Sequence, residues 1–281
     1  MCELFGMSAS AATRPDRLLR AFRLRGGRAA NNPDGWGLAY WDGSAFRIFK
    51  EPEPAARSER FAELCGTVRS RLVIAHVRKA RCPPINTMTN THPFAHTCCG
   101  RQGVFAHNGL VPGVVELEMG RQNPICRPTG ETDSEHAFCH VLGFLAETFE
   151  SARRRYRAAW MPALATVSEL LTTYGKFNFL MSDGEHLIAY GHDRLHHAVQ
   201  HRADPATATP LHGVVVATEP VAGSEGWIAF EPGELRVYRL GELAERILTR
   251  PTPAPRLSDN GELASTSISM STRHADARSP G

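Results

Sequence analysis

At 281 residues, with 42% hydrophobic and 22% charged residues, the chain has the composition of a soluble globular protein with room for one large domain or two small ones. The net charge of +3 is small, and the densest basic run, Arg153-Arg154-Arg155, falls within an expected helix, which fits a solvated face rather than a nucleic-acid footprint. No apolar run reaches the ~18 residues of a membrane span and no charged-then-apolar leader opens the chain, so a cytoplasmic location without membrane contact is expected.

Residues 2–8 read as a short buried strand, and a helix opens after Pro15 over 16–25, closed by Gly26 and Gly27. The turn-rich stretch from Asn31 runs into a strand ending at Trp41. Asp42-Gly43 then joins it to a second strand at 46–50, a hairpin signal. A helix near 57–68 precedes Leu72-Val73-Ile74-Ala75-His76-Val77, a β-branched run that predicts a buried strand delivering Arg78 at its end. A long polar loop, 79–102, follows.

The strand 104–107 ends at Asn108-Gly109, and Thr132-Asp133-Ser134-Glu135 opens a helix to about residue 149 with Phe138, Val141, Leu142 and Leu145 on one face. A second amphipathic helix spans 152–174. Strands are then expected at 177–181, 187–190, 214–218, 228–230 and 235–238, punctuated by Asp183-Gly184 and Pro232-Gly233. Strands, paired helices and strands again fit an α+β sandwich better than alternating βαβ units. Residues 251–281, rich in Pro, Ser, Thr and Ala and without aromatics, read as a disordered tail after a 2–250 domain.

The chemistry centres on Cys2. Removal of Met1 would put a thiol and an α-amine on one residue. The amine, with a pKa of about 7.7–8.0, can act as general base, and a thiol near 8.5 is already partly thiolate. Alternatively Cys2 is merely a residue beside a start site; acylation of the lipoprotein kind would need an apolar leader, and only Met1 precedes it. Arg78 is either a surface cation or a bidentate anchor for a carboxylate. Asn108-Gly109 is either a type I′ turn or an amide beside a close-approaching backbone N–H, an oxyanion hole. Asp133 is either a favoured first-turn carboxylate behind the Thr132 cap or a ligand for a substrate ammonium. Trp36 and Trp41 read as core or hairpin packing.

The seven cysteines are odd in number and irregularly spaced, unlike a secreted disulfide framework, so mostly free thiols are expected. His92, His96, Cys98, Cys99, His107 and Cys126 are soft ligand types. They contain no Cys-x-x-Cys pair, and adjacent Cys98-Cys99 suits tetrahedral zinc poorly; neither metal nor cofactor is expected.

In order, Cys2-Glu3-Leu4-Phe5-Gly6, Asn32-Pro33-Asp34-Gly35-Trp36-Gly37, Ala75-His76-Val77-Arg78-Lys79-Ala80, Asn90-Thr91-His92-Pro93-Phe94, Ala106-His107-Asn108-Gly109 and Thr132-Asp133-Ser134-Glu135 closely resemble the class II glutamine amidotransferase family. These are N-terminal-nucleophile hydrolases, and the likeness is to the stand-alone YafJ-like members. It covers about residues 2–240, with the dense motifs in 2–135. The resemblance implies a four-layer αββα sandwich of two antiparallel sheets. It implies Cys2 as nucleophile with its α-amine as base, and Asn108 with the Gly109 amide as oxyanion hole. Arg78 would hold the glutamine α-carboxylate and Asp133 the α-amine, with Thr91 and His92 lining the pocket.

The implied reaction is attack of Cys2 on the side-chain amide of glutamine, or on a γ-glutamyl amide, and hydrolysis of the resulting thioester. Lys79 departs from the Trp that follows the arginine in many members, and the loop from Arg78 to Thr91 is longer than in the large synthases. After about residue 250 there is no room for a synthase domain. The implied ammonia acceptor is therefore a synthase on another chain, or there is none; the oligomeric state is open. A γ-glutamyl amide hydrolase acting on a larger metabolite, as relatives do in ergothioneine formation, is an alternative. So is a non-catalytic scaffold that retains Met1.

Overall fold

The computed structural model describes residues 2–81, 83–98, 100–121, 124–152, 160–203 and 210–254. One sheet is built from β1 (Glu3–Thr13), β2 (Trp36–Trp41), β3 (Phe46–Glu51), β4 (Ser70–Val77), β9 (His196–Ala203), β10 (Pro210–Ala217) and β11 (Ile228–Ala229), in the spatial order β11-β9-β10-β1-β4-β2-β3. The other contains β5 (Phe94–Cys98), β6 (Arg101–Leu110), β7 (Lys176–Ser182), β8 (His186–Gly191), β12 (Glu234–Arg239) and β13 (Glu242–Leu248), in the order β13-β12-β8-β7-β6-β5. All the strand pairings are antiparallel.

Strand alternation sorts the side chains into layers. Leu4, Leu72, Ile74, Val214 and Val216 of the first sheet meet Val104, Ala106, Leu180, Leu187 and Ala189 of the second in a core between the sheets. Phe5, Met7, Val73, Ala75 and Val215, one residue out of phase, pack instead against α1 (Asp16–Arg23) and α2 (Glu59–Thr67) through Leu19, Phe22, Phe61 and Leu64. On the far face Phe105, Phe177, Phe179 and Met181 pack under α4 (Asp133–Ala152) and α5 (Trp160–Leu171), with Phe138, Val141, Leu164 and Val167. The four layers are helices, sheet, sheet and helices, the expected αββα sandwich.

Several elements differ from the sequence reading. Asn108-Gly109 is no turn: β6 runs through it to Leu110, with Asn108 opposite Asn178 and Gly109 opposite Phe177. The polar loop 79–102 contains β5, whose His96, Thr97 and Cys98 carry little strand signal. Strands β9 and β13 were unforeseen: β9 is largely polar, and β13, at a sheet edge and almost wholly exposed, mixes Leu243, Ile247 and Leu248 with charged residues and shows no alternation. A short helix, α3 (Val114–Met119), was also not legible. Thr132 caps α4 by accepting the Glu135 N–H at 3.1 Å, but the Glu135 carboxylate turns to the Gly130 N–H rather than closing a reciprocal box. The first part of the expected 152–174 helix, with the arginine run, and residues 255–281 of the expected tail lie outside the described residues. Before that point Thr252 is held by its N–H on Thr172 Oγ1 at 2.9 Å.

Gly37 shows why β2 can sit where it does. A Cβ there would lie 1.9 Å from the His92 carbonyl oxygen, so the hydrogen-only side chain lets the 91–93 segment cross the end of the sheet. Gly37→Ala is expected to cost about 1–3 kcal/mol in chemical denaturation, as overpacking does, and to displace His92.

Candidate active site

Cys2 immediately precedes β1, the strand at the centre of its sheet. The register pairs Glu3 with Val77, so Cys2 sits beside Arg78 and Lys79 where the chain leaves β4. The Cys2 Sγ accepts the Lys79 N–H at 3.2 Å and lies 3.4 Å from the Lys79 carbonyl. That turn is itself fixed by the Asn32–Gly35 segment. Arg78 N–H donates to Gly35 O at 2.7 Å, Asp34 N–H to Arg78 O at 3.0 Å, and Asp34 Oδ2 accepts from the Ala80 N–H at 2.9 Å while pairing with Lys79 Nζ at 3.2 Å. Burial pushes the Cys2 thiol up, with the Lys79 amide pulling the other way.

The second sheet reaches the same point through Asn108. Its Nδ2 donates to the Cys2 carbonyl. Alternation along β6 and β7 points Asn108 and Asn178 toward the first sheet, and neither is exposed. Asn178 Nδ2 donates to Asn108 Oδ1 at 3.3 Å, to Asn108 O at 3.1 Å and to Asp193 Oδ1 at 2.8 Å, while its Oδ1 accepts the His192, Asp193 and Arg194 N–H groups. This network orients the Asn108 amide, and nothing in sequence marked Asn178 for it. Gly109 is required sterically as well: a Cβ would lie 1.8 Å from Lys176 O on the neighbouring strand.

Cys2, Arg78, His92, Gly109 and Asp133 line one small cavity, together with Lys79, Arg81, His107, Thr132 and Ser134. Thr91, placed in the pocket by resemblance, does not line it; its hydroxyl is buried and donates to Thr87 O at 2.7 Å. Arg78 donates to Ile85 O at 3.0 Å, Asn86 Oδ1 at 3.1 Å and, at 3.4 Å, Pro83 O, so the guanidinium folds the long loop over itself. Asp133 at the mouth of α4 accepts the Val111 N–H at 2.7 Å and the Ser134 hydroxyl at 3.3 Å. Burial nevertheless raises its carboxyl.

Three buried histidines cluster here, His92 and His107 lining the cavity and His76 beside them. His76 approaches His107 O at 3.2 Å through Nε2, and His107 shares a 2.8 Å hydrogen bond with Ser134 Oγ. The His92 ring stacks 4.1 Å from His76, and neither His92 nitrogen has a partner among the described residues. Burial holds all three neutral, His76 down to about 3, His107 down to about 4 and His92 well below its ordinary value.

A family model described as "Glutamine amidotransferases class-II" matches residues 1–262. The chain belongs to this family. The YafJ protein of Escherichia coli (strain K12), which carries a glutamine amidotransferase name, is 36% identical over 260 residues, 86% of this chain and 99% of that one. A Mycobacterium tuberculosis (strain H37Rv) protein named gamma-glutamyl-hercynylcysteine sulfoxide hydrolase is 28% identical over 204 residues, 70% of this chain and 71% of that one. Among solved structures, a predicted glutamine amidotransferase from Pseudomonas aeruginosa PA01 superposes with a TM-score of 0.63 at 28% identity, covering 87% of this chain and all of that one. Glutamine phosphoribosylpyrophosphate amidotransferase from B. subtilis, at 16% identity and a TM-score of 0.61 over 49% of its length, shares the fold. Among the described residues no helix of this class II amidotransferase is long and apolar enough to cross a membrane.

The neutral histidines make stability pH-dependent. Their folded pKa values lie below the unfolded value of about 6.5, so the unfolded chain binds more protons and stability falls as pH drops from about 6.5 toward 4 and 3. His76 and His107 together are expected to cost roughly 3–4 kcal/mol between pH 7 and pH 5. Denaturant melts across that range check this, and His76→Gln should remove its own share of the loss, about 2 kcal/mol.

Proposed function

We propose that this protein hydrolyses the side-chain amide of glutamine, or a γ-glutamyl amide, through a thioester on Cys2. The observation that carries the reading is the convergence of Cys2, Arg78, Gly109 and Asp133 on one cavity, with the Cys2 sulfur seated on the Lys79 amide and Asn108 bridging from the other sheet. Because burial favours the thiol over the thiolate, the nucleophile needs a base. The α-amine of Cys2, exposed by removal of Met1, fills that role. It takes the thiol proton as sulfur attacks the amide carbon, and Asn108 Nδ2 with the Gly109 N–H holds the oxyanion. The C–N bond breaks, and ammonia or an amine leaves with the proton from the α-ammonium. Water, deprotonated by the same amine, then splits the thioester and regenerates the thiol.

Arg78 and Asp133 clamp the substrate's α-carboxylate and α-ammonium. Each such charge-assisted hydrogen bond contributes about 1.5–3 kcal/mol, which orients the amide over the sulfur. His92, whose ring nitrogens have no partner among the described residues, adds a polar wall. A cytoplasmic setting and an ammonia-accepting synthase on another chain belong to the same proposal. The printed name of the Mycobacterium tuberculosis relative favours a second reading of the same site, hydrolysis of a γ-glutamyl amide of a larger amine. Comparing turnover of glutamine with that of γ-glutamyl amides of larger amines separates the two.

Intact-mass measurement of purified protein should find Met1 absent; a retained Met1 overturns the proposal. Cys2→Ala, which keeps a small second residue, should lower amide hydrolysis about 1,000-fold or more without changing the fold by circular dichroism. Arg78→Lys keeps charge but loses the fork. It is expected to raise KM about 10-fold or more with a smaller change in kcat, read from steady-state kinetics.

A further inference from the structure

On the far side of the second sheet, three groups from distant parts of the chain meet. A ring nitrogen of His96 and the sulfurs of Cys126 and Cys139 all lie within 4.8 Å of one another. His96 comes from β5, Cys126 from the segment before α4, and Cys139 from the second turn of α4, where it is buried. Cys126 and Cys139 are joined as a disulfide, a pairing the sequence did not announce, while Cys2, Cys65 and Cys98, the other described cysteines, are not disulfide-bonded. No spacing in sequence announced this cluster, because its members are brought together only by packing α4 on β5.

A disulfide alone gives no reason for the third member. His96 Nε2 lies 2.9 Å from Glu135 Oε1, and Glu135 Oε2 is fixed by the Gly130 N–H at 2.7 Å. Carboxylates in this position orient a metal-binding imidazole and leave its other nitrogen free to coordinate. Glu135 and Cys139 are one turn apart on the same face of α4, opposite His96. Cys98, two residues after His96 on the same face of β5, places its sulfur 3.9 Å from Leu142 O on the next turn of that helix. Tetrahedral zinc–thiolate bonds of about 2.3 Å put sulfurs about 3.8 Å apart, so His96, Cys126 and Cys139 need only small side-chain shifts, whereas Cys98, outside their 4.8 Å group, has to turn inward to complete the set.

We propose that, with its cysteines reduced, this cluster binds one zinc ion through His96 Nδ1, Cys126 and Cys139, with Cys98 taking the fourth position. A dithiol reductant converts the disulfide to two thiols and is itself oxidised to a disulfide. Zinc then displaces one proton from each of the three thiols. The metal would tie β5, α4 and the segment ahead of Asp133 together, at a place separate from the Cys2 cavity.

The test uses the full chain in a Cys2→Ala background, reduced with a phosphine, incubated anaerobically with zinc and freed of excess metal. Elemental analysis should find one zinc per chain, and cobalt substitution should give thiolate-to-metal charge-transfer absorption with tetrahedral ligand-field bands. Cys126→Ser and Cys139→Ser should each lower zinc affinity at least 100-fold, His96→Ala and Cys98→Ser at least 10-fold, in competition with a chromophoric chelator. Reduced protein that stays folded by circular dichroism yet holds no more zinc than Cys126→Ser/Cys139→Ser overturns the site and leaves a structural disulfide only. Unchanged affinity in Cys98→Ser overturns the fourth ligand.

Discussion

The hydrogen bonds that meet at Cys2 are the constraint on which the rest depends. The sulfur rests on the Lys79 amide just past the end of β4, and the Cys2 carbonyl receives Asn108 from the second sheet. A residue at the second position of a chain would ordinarily fray. Here it is continuous with a central strand, flanked on both sides by β10 and β4, so its position is set by two ladders. The inter-sheet core under Leu4 then fixes how far the sheets stand apart. A one-residue slip of β1 would turn Leu4 away from that core, which is why the register is strongly specified.

Burial does the electrostatic work. It favours the protonated thiol, keeps the three histidines neutral and raises the Asp133 carboxyl. At the cavity wall Arg78 donates to Ile85, Asn86 and Pro83, so one guanidinium fixes the conformation of the loop that follows it.

The family and the layers were legible because ordered motifs and strand alternation survive without knowledge of packing. Cys2, Arg78, Asn108, Gly109, His92 and Asp133 do come together. Thr91 does not reach the cavity, since its hydroxyl serves the turn from Thr87. Asn178, which orients Asn108, and the Asp34 clamp on Ala80 were illegible as roles, for a partner seventy residues away in one case and forty-six in the other leaves no local pattern. The Asn-Gly pair misled for the opposite reason: its local signal for a turn is strong, but pairing with β7 and the crowding of Lys176 O demand a glycine within a strand.

By itself the sequence determined the family, the alternation that builds two apolar-faced sheets, and the chemical types available to a site. These depend on residue identity and short-range period, which any conformation of the chain carries. Only the tertiary structure decided which side chains share a cavity, which of the cysteines are neighbours, and which histidines are forced to stay neutral. Those properties depend on distance and desolvation, and both come into being only when the sheets and helices close on one another.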